Sequence, residues 1–364
     1  MKETKRKKAG RFVGIDLGKR TYEAAFVNKG KVTRSNGRTC SAGRRTLYSR
    51  LKPTDKVALE AGNMAFIIAK EIQAAVGCTV YVLNPSNLAL IYGSMKKTDK
   101  EDSLKLAHII EDFQEERLPV VPVPGEQEMN RRKILGSYRR VKQARSREIN
   151  KLHALFLAQG ITTVVRKDLA SGEPRKETIQ VLTGLERAEA EYLVSCLDLH
   201  EQRIALLKQQ MKEESAGDEV IERLQEVPGV GPLVAFAFTA HVAPERFEDA
   251  SQVSNYLGLV PRVYITGESV RHGRITKRGN GYLRALLVQA AWAMINTKQG
   301  GKLKERYEYM TVEKSKSKKQ AIVAVARRIA ELLYTLMRDG SKYEAKPFNR
   351  DKKVQELVQL AMSA

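Results

Sequence analysis

The chain opens with three short segments set off by polar and glycine positions, two of them largely apolar and the third mostly polar: "RFVGIDLG", "TYEAAFVNKG" and "KVTRSNGRT". Segments this short read as strands, and Asn28-Lys29-Gly30 supplies a hairpin turn between the second and the third. The pattern then changes. "AGRRTLYSRL" and "MAFIIAKEIQAAVG", the latter stopped by Gly77, have helical spacing, and "KVALEAG" between them reads as a short buried strand ending at Glu60. "CTVYVLNP" is a further strand closed by Asn84-Pro85, and a helix begins near Asp99. Three meandering strands followed by alternating helix and strand predict an α/β sheet with antiparallel and parallel parts.

Beyond this point the period is helical. Between Arg131 and Lys151 stand nine Lys or Arg and one Glu, around an apolar stripe of Ile134, Tyr138, Val141, Ile149, Leu152 and Phe156. A second long helix carries Leu193, Leu197, Ile204, Leu207 and Met211 in 4-3 spacing, interrupted by His200. The pair reads as a coiled coil or helical hairpin, formed either within one chain or as a dimer contact. The polar stretch near "ASGEPRKE" reads as a loop between the two. In "LQEVPGVGPLVAFAFTAHV", Pro228-Gly229-Val230-Gly231 separates two apolar helical stretches, as in a helix-hairpin-helix. Gly229 and Gly231 then either let backbone N–H groups approach a phosphate or permit tight packing at a bend. "GLVPRVYITGESVRHGRITKRGNGYLRALLVQAAW" gives a Gly- and Arg-rich loop and a buried helix, and "KSKSKK" precedes a last amphipathic helix.

Charge changes the picture. Lys and Arg number 64 against 42 Asp and Glu, a net +22 over 364 residues, which points to a polyanion and above all to nucleic acid. Arg139, Arg140, Arg145 and Arg147 in the middle, with Arg262, Arg271, Arg274, Lys277, Arg278, Asn280 and Arg284 nearer the end, are the candidate contacts. No apolar run of about 18 residues exists to span a bilayer. The basic "MKETKRKKAGR" lacks an apolar core for a secretory signal and reads as a phosphate-seeking arm over residues 1–10. Cys40, Cys78 and Cys196 are isolated, which fits a reducing cytoplasm and excludes a zinc ribbon or disulfide framework.

The acidic residues are few but placed. Asp16 lies in the first strand, Glu60 ends the fourth, and Asp99 and Asp102 stand three apart in "MKKTDKEDSLKLA". Thr98 followed by Glu101 reads as a capping box, so both aspartates suit a helix start. The same spacing puts them on one helical face, where two oxygen donors suit Mg²⁺. In a ribonuclease H-like topology the first and fourth strands are neighbours, and four carboxylates converge. Such a group raises its own pKa values unless cations neutralise it, and two Mg²⁺ ions are the usual remedy and a phosphoryl-transfer device.

Taken together, "VGIDLGKRTYEAAFV", "VALEAGN", "KKTDKEDSLKLA", "LQEVPGVGP", "GLVPR" and "GRITKRGNGYLRALLVQAAW" resemble the DEDD insertion-sequence transposases, a group that includes Piv-like invertases and bridge-RNA-guided recombinases. The last block is the most specific, because its Gly-x-Ile-x-Lys-x-Gly-Asn pattern has no generic structural reason to exist. The resemblance implies a RuvC-like ribonuclease H domain at 11–125, a helical coiled-coil region at 126–215 and a mostly α C-terminal transposase domain at 216–364. It implies Mg²⁺ on Asp16, Glu60, Asp99 and Asp102, and a hydroxyl nucleophile just before a glycine in the loop after "GLVPR". Here that residue is Thr266 where the family usually shows serine, with Ser269 the alternative. The implied partners are donor and target duplex DNA, a guide RNA and further copies of the chain, as dimer or tetramer, in a bacterial or archaeal cytoplasm. Two other classes share these features: a RuvC-like nuclease or resolvase that attacks with water, and a non-catalytic nucleic-acid-binding relative.

Overall fold

A computed structural model describes residues 10–344 except 63, 86, 89–97, 268 and 299, and gives only the backbone of 270 and 272. The basic arm expected at 1–10 therefore lies outside the described residues but for Gly10. The chain divides into two compact units, Met1–Gly125 and Glu126–Ala364.

In the first unit the three opening segments are strands β1 (Phe12–Leu17), β2 (Thr21–Asn28) and β3 (Lys31–Arg38). Helix α1 (Ser41–Tyr48), strand β4 (Lys56–Glu60), helix α2 (Ala65–Val76), strand β5 (Thr79–Leu83) and helix α3 (Asp99–Asp112) follow. The sheet order is β3-β2-β1-β4-β5, so the first and fourth strands are neighbours, as in ribonuclease H-like sheets. β1 and β4 run parallel, the first three strands antiparallel. Both faces are covered. Val13, Ile15, Val57, Leu59, Val80 and Val82 pack with Leu47 of α1 and with Ile68 and Ile72 of α2. Ala58, Tyr81 and Leu83, which alternate with them, pack with Leu106, Ile109 and Ile110 of α3.

The second unit is mostly helical. α4 (Glu126–Ala158) and α6 (Gly184–Glu214) flank the short α5 (Gly172–Thr178). The polar stretch read as a loop thus contains a helix, anchored by Arg175, which is fully buried and bonded to Asp198 and Glu201. α4 and α6 pair within the chain in antiparallel fashion. Ile149, Leu152 and Phe156 meet Leu193, Val194 and Leu197, while Leu135 and Tyr138 share a core with Leu207 and Met211. Helices α7 (Glu219–Gln225), α8 (Pro232–Thr239), α9 (Ala250–Tyr256), α10 (Gly281–Ile295), α11 (Gly301–Glu308) and α12 (Lys318–Asp339) join that second core. The segment read as a Gly- and Arg-rich loop forms a two-stranded ribbon, β6 (Pro261–Thr266) and β7 (Ser269–Ile275). Val263, Tyr264, Ile265 and Thr266 are β-branched or aromatic, and they outweigh the glycines around them. Among the described residues no helix is long and apolar enough to cross a membrane.

Candidate active site and nucleic-acid surface

The register of β1 and β4 brings the two sheet carboxylates together. Gly14 pairs with Ala58 and Ile15 with Leu59, so Asp16 and Glu60 follow side by side at the ends of neighbouring strands. Both alternate onto the face that α3 covers. Gly14 is what lets the helix close on that face: a Cβ there would lie 2.0 Å from the Ser103 carbonyl oxygen and 2.5 Å from the Ala107 nitrogen. Ser103 is fully buried at this crossing. The first turn of α3 then carries Asp99 and Asp102 toward the strand ends. Its start carries one half of the predicted capping box, the Thr98 hydroxyl accepting from the Glu101 N–H at 3.3 Å, without a return bond from the Glu101 side chain. Lys105 Nζ donates to Asp102 Oδ1 at 3.2 Å.

The electrostatics show that Asp16 senses the other three. Asp16 is pushed up from 3.8 to about 6, first by burial and then by Asp99, Asp102 and Glu60 in that order. Asp16, Gly18, Lys19, Glu60 and Gly62 line a cleft of about 520 Å³. Among the described residues no three acidic, imidazole or thiol groups close tightly enough to cage an ion. The donor set nevertheless suits a divalent cation, because its hard oxygens repel one another and the cation relieves that repulsion. One neighbour escaped the sequence reading. Glu23 pairs directly with Asp16 across β1 and β2 and is only 9% exposed. Its signal was its alternation in "TYEAAFV" onto the same face as Asp16.

In the second unit the ribbon presents both nucleophile candidates. Thr266 and Ser269 are the last register pair before the turn, and their hydroxyl oxygens lie 2.9 Å apart in a hydrogen bond. Gly267 takes the turn with φ +54°. From Arg262 to Thr266 every residue of β6 is exposed, and Tyr264 pairs with Arg271 across the ribbon. Arg262, Arg271 and Arg274 are exposed as well.

The "GRITKRGN" block has a structural reason after all. Asn280 caps α10, accepting from the N–H groups of Tyr282 and Leu283, and its Nδ2 donates to His241 Nε2 at 2.9 Å. His241 must be neutral to accept, and burial, then Arg132, lowers its pKa to about 4. Gly279 has φ +71°, and a Cβ there would sit 2.0 Å from the Tyr256 carbonyl oxygen. Arg284 donates to the carbonyls of Leu257 and Arg278 and ties this loop to the end of α9. Lys277 and Arg278 remain exposed.

The other basic candidates divide in the same way. Arg145 bonds to Glu201 and to the Ala170 carbonyl, so it serves the fold. Arg139 stacks over the Tyr282 ring at 5.4 Å, Arg140 donates to Ser137 Oγ, and both are exposed, as is Arg147. Gly229, at φ +83°, is pressed against α10, where a Cβ would lie 2.4 Å from the Ala290 oxygen. Of the two readings for that glycine, packing is the one the structure shows. Gly231 is open and exposed at the start of α8.

Comparison with known proteins agrees across both units. The DEDD transposase family model of the IS110 type matches residues 13–161, and the model of the transposase IS116/IS110/IS902 family matches residues 221–308. A Pseudomonas aeruginosa protein named "Probable family 20 transposase" is 29% identical over 289 residues, 78% of this chain and 83% of its own length. The transposase for insertion sequence element IS1328 of Yersinia enterocolitica is 27% identical over 289 residues, 77% of this chain and 82% of its own. That for element IS1111A of Coxiella burnetii is 26% identical over 214 residues, 56% and 57% of the two chains. An α/β unit with acidic residues on one sheet face, a helical unit after it, and IS110-type transposase models over residues 13–161 and 221–308 identify this chain as a DNA transposase of the IS110 type with a DEDD domain.

Proposed function

We propose that this transposase cuts and rejoins DNA with two Mg²⁺ ions held by Asp16, Glu60, Asp99 and Asp102 of a RuvC-like domain, and with a hydroxyl of its second unit as nucleophile. The observation that carries this reading is the environment of Asp16, held near 6 by burial and by three other carboxylates. A cluster that penalises its own ionisation gains most from a divalent cation. When bound, the cation supplies positive charge beside the phosphoryl oxygens and the leaving oxygen. Asp16 and Glu60 present donors from the sheet, Asp99 and Asp102 from the helix.

Thr266 is assigned the attack, with Ser269 in reserve. The Thr266 Oγ–P bond forms as one P–O bond of the DNA backbone breaks, and the hydroxyl proton ends on the leaving oxygen. The number of phosphate esters is unchanged, so the strand can be rejoined without an outside energy source. The hydrogen bond between the two hydroxyls leaves the second in place to stabilise the first as it loses its proton. The threonine methyl stiffens χ1 and crowds an in-line approach, so a serine at this position would react at least as fast.

Sequence choice comes from an element-encoded RNA that base-pairs with donor and target DNA, while the protein holds backbones. Supporting this are the family resemblance and the exposed cations of α4 and the ribbon. Gly231, at the open α7–α8 turn, offers a helix-hairpin-helix contact to phosphate, α4 and α6 form a coiled-coil element, and the protein works as a dimer or tetramer.

Trapping a covalent protein–DNA adduct tests the nucleophile. Thr266→Val, which keeps the shape and removes the hydroxyl, should give none, and Thr266→Ser should give it readily. An adduct in Thr266→Val would dismiss Thr266, and loss in Ser269→Ala alone would transfer the role. Metal-dependent nicking with no adduct in any variant would instead mark a nuclease that attacks with water.

A further inference from the structure

The second unit holds a cleft that the reading above does not use. Its volume is about 520 Å³, and its charged and polar lining is Lys302 and Arg306 from α11, Arg328 and Glu331 from α12, and Tyr343 and Glu344 beyond, the last engaged by a partner of its own. The Glu331 carboxylate is fully engaged. It accepts from Ser254 Oγ at 2.8 Å, Arg327 Nε at 2.8 Å and Arg328 Nη1 at 2.5 Å. Arg306 is not engaged. Its Nε is shut off from solvent without a hydrogen-bond partner, and among the described residues no hydrogen bond or ion pair takes up the rest of the guanidinium.

The contrast with the other enclosed arginines decides how to read this. Arg131 and Arg175 also have an unpartnered Nε, but their terminal nitrogens bond to Asp218 and to Asp198 and Glu201. Those two are built as internal ion pairs. Arg306 has the enclosure without a bonded acceptor: burial and Arg328 lower its pKa, Glu331 offsets part of that without a hydrogen bond to it, and Arg327 adds to the like charge. A partly enclosed guanidinium facing like charge is costly unless an anion completes it. The stretch leading into α12 adds Lys314, Lys316, Lys318 and Lys319 to the same region of the chain. A tetrahedral oxyanion has enough acceptor oxygens to bridge two guanidinium groups and an ammonium at once, which a single carboxylate does less well.

We propose that this cleft is a phosphate site, in which Arg306, rimmed by Lys302 and Arg328, seats a backbone phosphate of the nucleic acid the transposase acts on. The inference rests on the chain binding nucleic acid and is independent of the carboxylate site. Its test is therefore binding, not cleavage.

The experiment compares full-length protein with Arg306→Gln and Arg306→Lys over a salt series, on a duplex DNA and on an RNA of the same sequence. Arg306→Gln should lower the slope of log affinity against log salt by about 0.9 on duplex DNA, or about 0.7 on a single strand. Arg306→Lys should keep the slope and lose affinity, because charge remains while the guanidinium fork is gone. The arm in which the slope moves identifies DNA or RNA as the source of the phosphate. Without nucleic acid, Arg306→Gln should melt no lower than the parent, since it removes a charge that has no partner. Unmoved slopes in both arms overturn the proposal: stabilisation by inorganic phosphate would then mark an adventitious ion only, and a lowered Tm would place an acidic group of the chain itself against Arg306.

Discussion

At the scale of single residues, two side chains carry opposite electrostatic costs. Asp16 ionises against burial and three carboxylates, and the shift from 3.8 to about 6 corresponds to at most about 3 kcal/mol of native-state penalty at neutral pH. Asp16→Asn should therefore melt several degrees higher than the parent when divalent cations are chelated, and should lose the stabilisation that the parent gains from Mg²⁺. Thermal melts with and without Mg²⁺ read both. His241 is the reverse case. Its folded pKa of about 4 lies below the ordinary 6.5, so between these values the unfolded chain binds a proton that the folded chain refuses. Stability contributed by neutral His241 is complete above about 6.5 and is lost as pH falls toward 4, by up to about 3 kcal/mol. Urea midpoints measured across that window should drop with falling pH in the parent and drop less in His241→Gln. Only half of this residue-scale picture was legible in the sequence. Asp16, Glu60, Asp99 and Asp102 stand in motifs, whereas the bond from Asn280 to His241 joins residues whose proximity only the fold creates.

At the scale of elements, length and punctuation located the five strands of the sheet and helix α3, because each strand is short and bounded by turn or polar residues and α3 opens at the Thr98 cap. The ribbon β6–β7 and the short α5 escaped for a shared reason. Each is held by partners distant in sequence or by one turn, Arg175 by Asp198 and Glu201 and the ribbon by Gly267, so neither shows a long local pattern. Gly14 shows how one residue sets an element's position. Gly14→Ala places a methyl 2.0 Å from the Ser103 oxygen, so α3 must move away from β1. We expect a loss of about 1–3 kcal/mol, and a weaker Mg²⁺ response, because Asp99 and Asp102 move with the helix. Denaturant unfolding gives the first, and melting with and without Mg²⁺ the second. If stability falls but the Mg²⁺ response is unchanged, α3 does not position the donors.

At the scale of the molecule, a net charge of +22 announced a polyanion before any motif did. It did not announce which cations are free to meet one. Arg145 and Arg284 are spent on carboxylate and carbonyl partners of the protein, while Arg139, Arg140 and Arg147 remain exposed on α4. Neutralising those three together should cut the salt slope of duplex binding by up to about 2.7, while Arg145→Gln should cost stability first. We infer that DNA strand cleavage runs through the acidic face of the first unit. Strand cleavage and recombination by Asp102→Asn, with circular dichroism to establish folding, test that claim most directly. The amide keeps the size of the carboxylate and can still hydrogen-bond at the start of α3, so the variant should fold, respond weakly to Mg²⁺ and cleave nothing. Recombination at the parent's rate by the folded Asn variant at ordinary Mg²⁺ would contradict the account.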